Sequence, residues 1–388
     1  MKKITWKLLA CFMAVLLLCM PVLTGCDKAG DEPETPVGEE SKETTDEKNE
    51  EKTEQDTTEE KTEQGNTKKN SDGLEFTSNG DGTCYVSGTG SCEDVDVVIP
   101  TKSPAGDRVT GIGDWAFYNC DSLTSVTIPN GVTSIGKGSF NACVALTSIN
   151  IPDSVTSIGE RAFEHCNALP NIVIPDGVTS IGSYAFQYCE ELKSISIADS
   201  VTSIGREAFV DCFSLTEITL PAGLKTVEAS LFARCEGLTS VTIPDGVTNI
   251  EGYAFSYCSS LTSITIPDGV TSIENDTFKD CTSLTNITIP DSVTSIEYNA
   301  FGGCTGLTSI TIPDSVTSIE SSAFYGCTGL TSITIPDSVT EIESGVFSGC
   351  TGLTDVHYSG TKDQWQAMEI WGYSATIHCA DGDITPEQ

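Results

Sequence analysis

The chain of 388 residues has little of what most catalytic sites and most nucleic-acid-binding surfaces require. It has only 3 histidines, and its 20 basic residues stand against 56 acidic ones, which gives a net charge of −36 at pH 7. An acidic protein of this kind is not expected to bind nucleic acid or anionic membrane surfaces. His165, His357 and His378 form no nucleophile–base pairing that the sequence supports, so we expect no enzyme activity and predict no catalytic residue.

Long apolar runs are also missing, except near the N-terminus. There, three lysines precede an apolar stretch from residue 8 to residue 23, which is typical of a secretory signal. The stretch ends in Leu-Thr-Gly-Cys26, which resembles the lipobox of bacterial lipoproteins. The resemblance implies that residues 1–26 are a lipoprotein signal peptide and that Cys26 carries a diacylglyceryl anchor. An uncleaved membrane anchor is the alternative for the same stretch.

Residues 27–72 lack the apolar side chains that a folded core needs. The segment has 17 acidic and 7 basic residues, and Val37 is its only large aliphatic residue. We therefore predict a disordered acidic tether that repels itself and holds the following residues away from a membrane. Residues 73–388 have 10 basic and 39 acidic side chains, which favours solubility and attraction to basic surfaces or cations.

A unit of 23 residues dominates the rest of the sequence. Residues 307–329 read LTSITIPDSVTSIESSAFYGCTG, and residues 330–352 repeat them almost unchanged. Each copy places a cysteine three residues after a phenylalanine, and a leucine three residues after the cysteine. The phenylalanines recur eleven times at one constant interval, as Phe117, Phe140, Phe163, Phe186, Phe209, Phe232, Phe255, Phe278, Phe301, Phe324 and Phe347.

One unit has too few apolar residues to form a core, so its copies must stack on one another. Ile310, Thr311 and Ile312 alternate in the manner of a strand with one buried face, and residues 313–315 form a turn. An extended stretch up to Ile319 and a tight bend at the Ala-Phe pair complete the coil. The sequence predicts a repeat solenoid with one short parallel β-strand per coil, mostly β and loop with little helix. A β-propeller needs longer units, and helical repeats need a period of 3.6 residues.

The unit resembles the repeat of BspA-type bacterial leucine-rich repeat surface proteins. The shared pattern is leucine, two isoleucines, proline, valine, isoleucine, Ala-Phe and cysteine, and it extends over about residues 73–379. Among a few departures, Ala198 replaces the proline. The resemblance implies a leucine-rich repeat solenoid of about eleven coils over residues 111–358. It also implies an N-terminal cap with an irregular first coil over residues 73–110, and a C-terminal cap over residues 359–388.

The two caps have their own predicted elements. The N-terminal cap is predicted to contain a hairpin that turns near residues 88–90. This turn would place Cys84 and Cys92 opposite one another, so they form either a disulfide or two free thiols. In the C-terminal cap we predict a short helix around residues 363–368 and a last strand near residues 375–378.

Eleven further cysteines, one per coil, occupy one equivalent position from Cys120 to Cys350. Neighbouring copies are close enough to form disulfides, but no unique pairing is specified because every neighbour is equivalent. We therefore predict free, buried thiols that pack as small hydrophobic side chains.

Carboxylates form two columns along the predicted stack. They are either a solvated face, or an edge that binds calcium or a basic partner, because stacked carboxylates repel one another. Calcium is the only cofactor that the sequence suggests, because His357, His378 and Cys379 match no zinc-binding pattern. The candidate edge consists of Asp268, Asp291, Asp314 and Asp337 after the strand, and Glu274, Glu297, Glu320 and Glu343 six residues further on.

These features favour a non-catalytic, lipid-anchored cell-surface binding protein that presents its solenoid to protein or glycan partners. The resemblance implies adhesion to host or neighbouring cells, with matrix proteins such as fibronectin or fibrinogen among the partners. The alternative is a structural cell-envelope protein that associates with itself. Tyrosines near the Ala-Phe bend leave a sugar-binding function open as a third hypothesis.

Overall fold

The computed structural model describes residues 69–370 and 374–385. The predicted signal peptide, Cys26 and the tether up to residue 68 lie outside the described residues. Within the described ranges, no helix is both long enough and apolar enough to cross a membrane. The unit Gly65–Gln388 is compact. The buried apolar residues among those described run from Leu74 to Ile377, and all of them lie within this unit.

The described residues form a solenoid of 27 short strands and one helix. Most of the strands stack from coil to coil in two parallel ladders. In chain order the elements are β1 Glu75–Ser78, β2 Thr83–Gly88, β3 Asp96–Val98, β4 Arg108–Ile112, β5 Ser125–Thr127, β6 Ser134–Ile135, β7 Ser148–Asn150, β8 Ser157–Ile158, β9 Asn171–Ile174, β10 Ser180–Ile181, β11 Ser194–Ile197, β12 Ser203–Ile204, β13 Glu217–Thr219, β14 Thr226–Val227, β15 Ser240–Thr242, β16 Asn249–Ile250, β17 Ser263–Thr265, β18 Ser272–Ile273, β19 Asn286–Thr288, β20 Ser295–Ile296, β21 Ser309–Thr311, β22 Ser318–Ile319, β23 Ser332–Ile335, β24 Glu341–Ile342, β25 Asp355–Tyr358, α1 Lys362–Ala367, β26 Thr376–Cys379 and β27 Gly382–Ile384.

The odd-numbered strands from β3 to β25 form the first ladder. It is parallel and in register within the paired groups β3-β5-β7, β9-β11, β13-β15, β17-β19 and β21-β23-β25. Ile310 pairs with Ile333, which pairs with Val356. The side chain of Ile310 is buried, whereas Ser309 and Thr311 on either side of it are exposed. The alternation in the sequence therefore reports the buried face correctly, and the predicted solenoid is confirmed.

The even-numbered strands from β4 to β24 form the second ladder, and most of them have two residues. Ile296 of β20 pairs with Ile319 of β22, again in parallel. The structure thus adds a second strand to the single strand per coil that the sequence predicts. The reason is that an extended backbone must pair its N–H and C=O groups, and the same stretch of the next coil lies at pairing distance.

The core runs along the whole stack between the two ladders and the bend. Its centre is the column of eleven phenylalanines, whose neighbouring rings lie nearly parallel with centroids between 5.1 Å (Phe117 and Phe140) and 6.2 Å (Phe324 and Phe347) apart. Burying each of these rings stabilises the fold by about 1.5 to 3 kcal/mol. Each coil thereby covers the apolar face of its neighbour.

The Ala-Phe bend has a backbone conformation that the sequence does not predict. In every coil, the second residue before and the second residue after the phenylalanine have a positive φ. At these two positions, as at Asn299 and Gly303 around Phe301, the N–H donates to a carbonyl of the next coil. The N–H of Phe301 itself donates to the carbonyl of Ala323 over 2.8 Å. The bend is therefore a third line of hydrogen bonds along the stack.

The N-terminal hairpin differs from its prediction. Strands β1 and β2 are antiparallel with Ser78 opposite Cys84, so the chain turns at residues 79–82 and not at residues 88–90. Cys92 lies beyond the end of β2, and both cysteines are free thiols. The hairpin argument for a Cys84–Cys92 disulfide is therefore wrong. Strand β2 continues in parallel onto β4 and closes the N-terminal end of the second ladder.

The C-terminal cap contains the predicted helix and strand, each shifted by about one residue. Helix α1 begins after Thr361, whose side chain and that of Gln364 form a capping box. Trp365 of α1 is buried. Strand β26 pairs in parallel with β25, and β27 turns back against it. The cap covers the last strand of the first ladder.

Candidate binding surface

The outward side chains of the first ladder form a uniform face of serine and threonine. Many threonine hydroxyls of the coils donate to a carbonyl of the preceding coil, as Thr331 does to Thr308 over 3.0 Å. Thr331 and its equivalents directly precede the strands, so their hydrogen bonds link successive coils beside this face. Val173, which is 63% exposed, is an apolar exception.

The aspartate column lies in the turns that follow the first ladder. Serines next to these aspartates hold the turns, as Ser315 does by donating to the carbonyl of Val293 over 2.6 Å. Asp199 accepts from the N–H of Ala222 over 3.0 Å. The predicted edge residues Asp268, Asp291, Asp314 and Asp337 are all exposed.

The glutamate column has a structural role that sequence reasoning missed. Glu320 accepts the N–H of Tyr298, and Glu343 accepts the N–H of Ser321, each from the preceding coil. The early coils have glycine at this position. A Cβ on Gly159 would lie 2.6 Å from the backbone of the coil before it, so these coils have no room for a side chain.

Crowding within the glutamate column affects its titration. Burial, together with the charge of Glu251, raises the pKa of Glu228. Burial and the charges of Glu274 and Glu320 raise the pKa of Glu297. In the part of the chain that the structure describes, no three His, Cys, Asp or Glu side chains come together as a metal site. Calcium binding at this edge stays a prediction.

The exposed aromatic residues lie on one edge of the solenoid. We call this the bend edge: the residues from three before to two after each repeat phenylalanine. Every exposed tryptophan or tyrosine of the described residues belongs to it, namely Trp115, Tyr118, Tyr253, Tyr257, Tyr298 and Tyr325, between 40% and 55% exposed. Sequence reasoning placed these tyrosines near the bend together with Tyr184 and Tyr188, which the structure shows to be half-buried.

Basic residues collect on the same edge, which the sequence analysis did not notice. The Arg161 guanidinium lies 4.2 Å from the centroid of the Tyr184 ring, a cation–π contact. Arg234 forms an ion pair of 2.6 Å with Asp211. Five of the ten basic residues of residues 73–388 lie on this edge: Lys137, Arg161, Arg206, Arg234 and Lys279. The signal that finds them is an alignment of the coils, in which the bend positions vary while the core positions stay fixed.

Large side chains occupy strained positions on the bend edge. Of the 22 left-handed positions, 17 hold a residue other than glycine, with φ between 54° and 62°. A left-handed conformation costs such a residue about 1 to 2 kcal/mol, and strain of this kind clusters at functional sites. Glycine would fit the backbone better at the positions of Tyr184, Arg234 and Tyr257. Large side chains at strained positions are expected where these side chains bind a partner.

A shallow pocket of about 360 Å³ lies on this edge near its C-terminal end. Tyr298 and Tyr325 line it, and Gly302 and Gly303 contribute only backbone. Asp280 and Asn299 supply polar groups from the bend of two successive coils. The pocket therefore combines exposed rings, bare backbone and hydrogen-bonding side chains.

The column of cysteines lies below the bend and is not part of its surface. Each thiol from Cys143 to Cys350 donates to the phenylalanine carbonyl of the coil before it, as Cys258 does to Phe232 over 3.2 Å. Burial raises the pKa of Cys258 above its ordinary value. Burial likewise raises the pKa of the other thiols from Cys166 to Cys304, which stay protonated and act as hydrogen-bonded core residues. A hydrogen bond with Cys327 instead lowers the pKa of Cys350.

The histidines do not meet in a catalytic arrangement within the described residues. His165 stacks on Tyr188 with a centroid distance of 4.4 Å. His378 lies between Asp355 and Asp383, at 2.9 Å and 3.1 Å. Hydrogen bonds to these two carboxylates raise the pKa of His378. His357 of β25 and His378 of β26 stack on one another where the C-terminal cap meets the first ladder.

Comparisons with known proteins agree with this architecture. Residues 101–212, 179–308 and 271–367 match the family described as BspA type leucine rich repeat region. A leucine-rich cell surface protein from Faecalibacterium prausnitzii A2-165 is 33% identical, with a TM-score of 0.50, over 76% of this chain and 96% of that chain. The pneumococcal vaccine antigen PcpA shares the fold, at 23% identity and a TM-score of 0.52, over 76% of this chain and 90% of its own. No curated protein matches the chain. The repeat, the ladders and these matches together show that the chain belongs to the BspA-type leucine-rich repeat family.

Proposed function

We propose that this protein is a non-catalytic, lipid-anchored adhesin that binds an extracellular macromolecule through its bend edge. One observation carries the proposal: the exposed aromatic rings and half of the basic residues of the folded part collect on one edge of a strongly acidic solenoid. Aromatic residues and arginine are enriched at protein interfaces, whereas the serine, threonine and aspartate of the other faces are not.

The shape of the solenoid also supports a binding function. Stacked coils present an extended row of equivalent positions, and repeat proteins use such rows to bind macromolecules. The similar protein from Faecalibacterium prausnitzii is described as a cell surface protein. Attachment through Cys26 would place this chain at the surface as well. The partner would be a host or matrix protein or a glycan on a neighbouring cell.

A capture experiment tests the proposal. Purified residues 65–388 are immobilised and exposed to fibronectin, fibrinogen and a surface extract of the producing cell, with calcium and again with chelator. We expect capture of a foreign protein or glycan. A triple variant, Arg161→Ser, Arg206→Ser and Arg234→Ser, should lose most of this capture. The matched control replaces three exposed first-ladder residues, Thr219→Ser, Thr265→Ser and Thr311→Ser, and should keep it.

Two outcomes contradict the proposal. Capture that survives in the bend-edge variant places the interface elsewhere, and the absence of any foreign partner removes adhesion. A dependence of capture on calcium would bring the carboxylate columns into the interface.

The second candidate is a structural protein of the cell envelope that associates with itself. It is favoured by the near identity of residues 307–329 and 330–352, which gives successive coils almost the same surface. Sedimentation of residues 65–388 at rising concentration decides between the two. A stable monomer favours adhesion, whereas concentration-dependent assembly favours the structural function.

A further inference from the structure

We propose that the pocket between Tyr298 and Tyr325 binds a neutral sugar ring of an extracellular glycan. This inference rests on the proposed binding function and gives it a site and a ligand class. The larger groove along the second ladder near the N-terminal cap, about 810 Å³, is lined mainly by serine, threonine and glycine and has Tyr85 as its one aromatic residue. The bend-edge pocket is smaller but chemically more specific.

The two tyrosine rings are available for stacking. Tyr298 is 47% exposed and Tyr325 is 55% exposed. Among the described residues, neither ring stacks on another aromatic ring or on a cation, in contrast to Tyr184, which lies against Arg161. A pyranose ring has an apolar C–H face whose weakly positive hydrogens are attracted to the negative face of an aromatic ring. Two free rings beside one pocket suit this contact.

The floor between the rings is backbone. The second residue after the repeat phenylalanine is Gly303 in this coil, whereas Tyr257 and Asp280 carry side chains at the same position of the two coils before. Gly302, the preceding residue, is buried and also without a side chain. The space that a Cβ would take at Gly302 and Gly303 is filled by side-chain oxygens of Asn299 and Asp280, so the two glycines let these acceptors lie against the pocket floor.

The polar groups of the pocket are mainly acceptors. Asn299 is 8% exposed and donates its Nδ2 to Asp276 over 2.7 Å, which orients the amide and leaves its Oδ1 as an acceptor. The Asp280 carboxylate is a second acceptor beside it. Lys279 is engaged with Asp276 at 3.4 Å. Two acceptors of this kind suit the hydroxyl donors of a sugar.

The same groups select against acidic sugars. A sialic or uronic acid would bring its carboxylate close to Asp280, in a chain with a net charge of −36. The ligand class that fits is therefore a neutral hexose or an N-acetylhexosamine. A single ring in an open pocket binds weakly, on the order of millimolar, so useful affinity would come from many copies on one surface.

Saturation-transfer NMR on residues 65–388 tests the site. The probes are methyl glycosides of glucose, galactose, mannose and N-acetylglucosamine, with glucuronic acid as the charged comparison. We expect at least one neutral glycoside to receive saturation, with glucuronic acid silent. Tyr298→Ala and Tyr325→Ala should each weaken binding by about three- to tenfold, the effect of one lost aromatic contact.

The chain offers matched controls for both variants. Tyr118 occupies the same repeat position as Tyr325 and is equally exposed at 55%, and Tyr253 equals Tyr298 in exposure at 47%. Tyr118→Ala and Tyr253→Ala should leave sugar binding unchanged. An equal loss in the controls, or no binding by any neutral glycoside, overturns the proposed site. Capture of a protein partner that persists in Tyr298→Ala would then show that the binding function stands without it.

Discussion

At the scale of single residues, the left-handed positions of the bend carry most of the backbone strain. Ala142 is one of them, with a φ of 59°, and its side chain is only a methyl group. Glycine adopts this conformation without cost. We expect Ala142→Gly to raise the free energy of unfolding by about 1 kcal/mol, measured by chemical denaturation.

A neighbouring position of the repeat supplies the control. Ala233 is half-buried like Ala142 but has an ordinary φ, so Ala233→Gly should lower the free energy of unfolding by about 0.5 to 1 kcal/mol. The same sign for both changes would mean that the bend is not strained.

From the sequence, the buried residues of the bend can be predicted more reliably than the backbone conformation of the bend. Phe301 and Cys304 are placed in the core by their unbroken period and their burial follows from stacking. A left-handed backbone is usually predicted from glycine or asparagine, but Arg161, Tyr184 and Glu207 adopt it because the inter-coil hydrogen bonds of the bend impose it. The aromatic part of the candidate site was therefore predictable, and an alignment of the coils also finds the basic residues, whereas the pocket floor required coordinates.

At the scale of elements, the first ladder followed from its alternation, but the N-terminal hairpin did not. Residues 79–82 read Asn-Gly-Asp-Gly, a strong signal for a hairpin turn, and β1 and β2 flank it. The alternative Gly-Thr-Gly signal at residues 88–90 lies at the end of β2 instead. The sequence therefore contains two glycine-rich turn signals close together. The chain turns at the first one, because β1 and β2 can pair along their whole length on either side of it.

The glutamate column makes stability depend on pH. The pKa of Glu297 is raised in the folded state, so its neutral form fits best. The contribution of Glu297 to the free energy of unfolding is most favourable below the pKa of this side chain in the unfolded chain. It is lost as pH rises through the pKa in the folded state. We expect Glu297→Gln to raise the melting temperature at pH 7 and to change it little at pH 3. Thermal unfolding at pH 7 and at pH 3 measures this difference, and the exposed variant Asp291→Asn is the control. An equal shift of the melting temperature at the two pH values would contradict the expectation.

A histidine in the C-terminal cap makes stability depend on pH in the same direction. The pKa of His378 is raised by Asp355 and Asp383, so its stabilisation is complete below the unfolded pKa of about 6.5 and is lost as pH rises through the folded pKa. Amide exchange in β26 and β27 should therefore be slower at pH 6 than at pH 8, after correction for intrinsic rates. His378→Gln should abolish the difference, and an unchanged pH dependence would mean that another group is responsible.

At the scale of the whole molecule, each coil contacts mainly its two neighbours. Stability of such an array is close to a sum over repeats and their interfaces. Deleting residues 307–329 joins two coils in the same phase, because the repeat continues unchanged at residue 330. We expect the shortened protein to fold and to melt a few degrees lower in a single transition.

Calorimetry with a matched deletion checks this expectation. Removing residues 307–318 cuts the unit in half and shifts the phenylalanine column out of phase, so that variant should not fold. If the whole-unit deletion also fails, the coils depend on more than their neighbours.

The constant interval has a consequence for inheritance. Residues 307–329 and 330–352 are nearly identical, so the DNA that encodes them offers two almost equivalent sites for recombination. Unequal exchange there would add or remove one whole unit and change the length of the solenoid by about 4.8 Å while leaving both caps intact. We would then expect related strains to have versions of this protein whose solenoids differ in length by whole coils. The kinds of residue on the bend edge would stay the same.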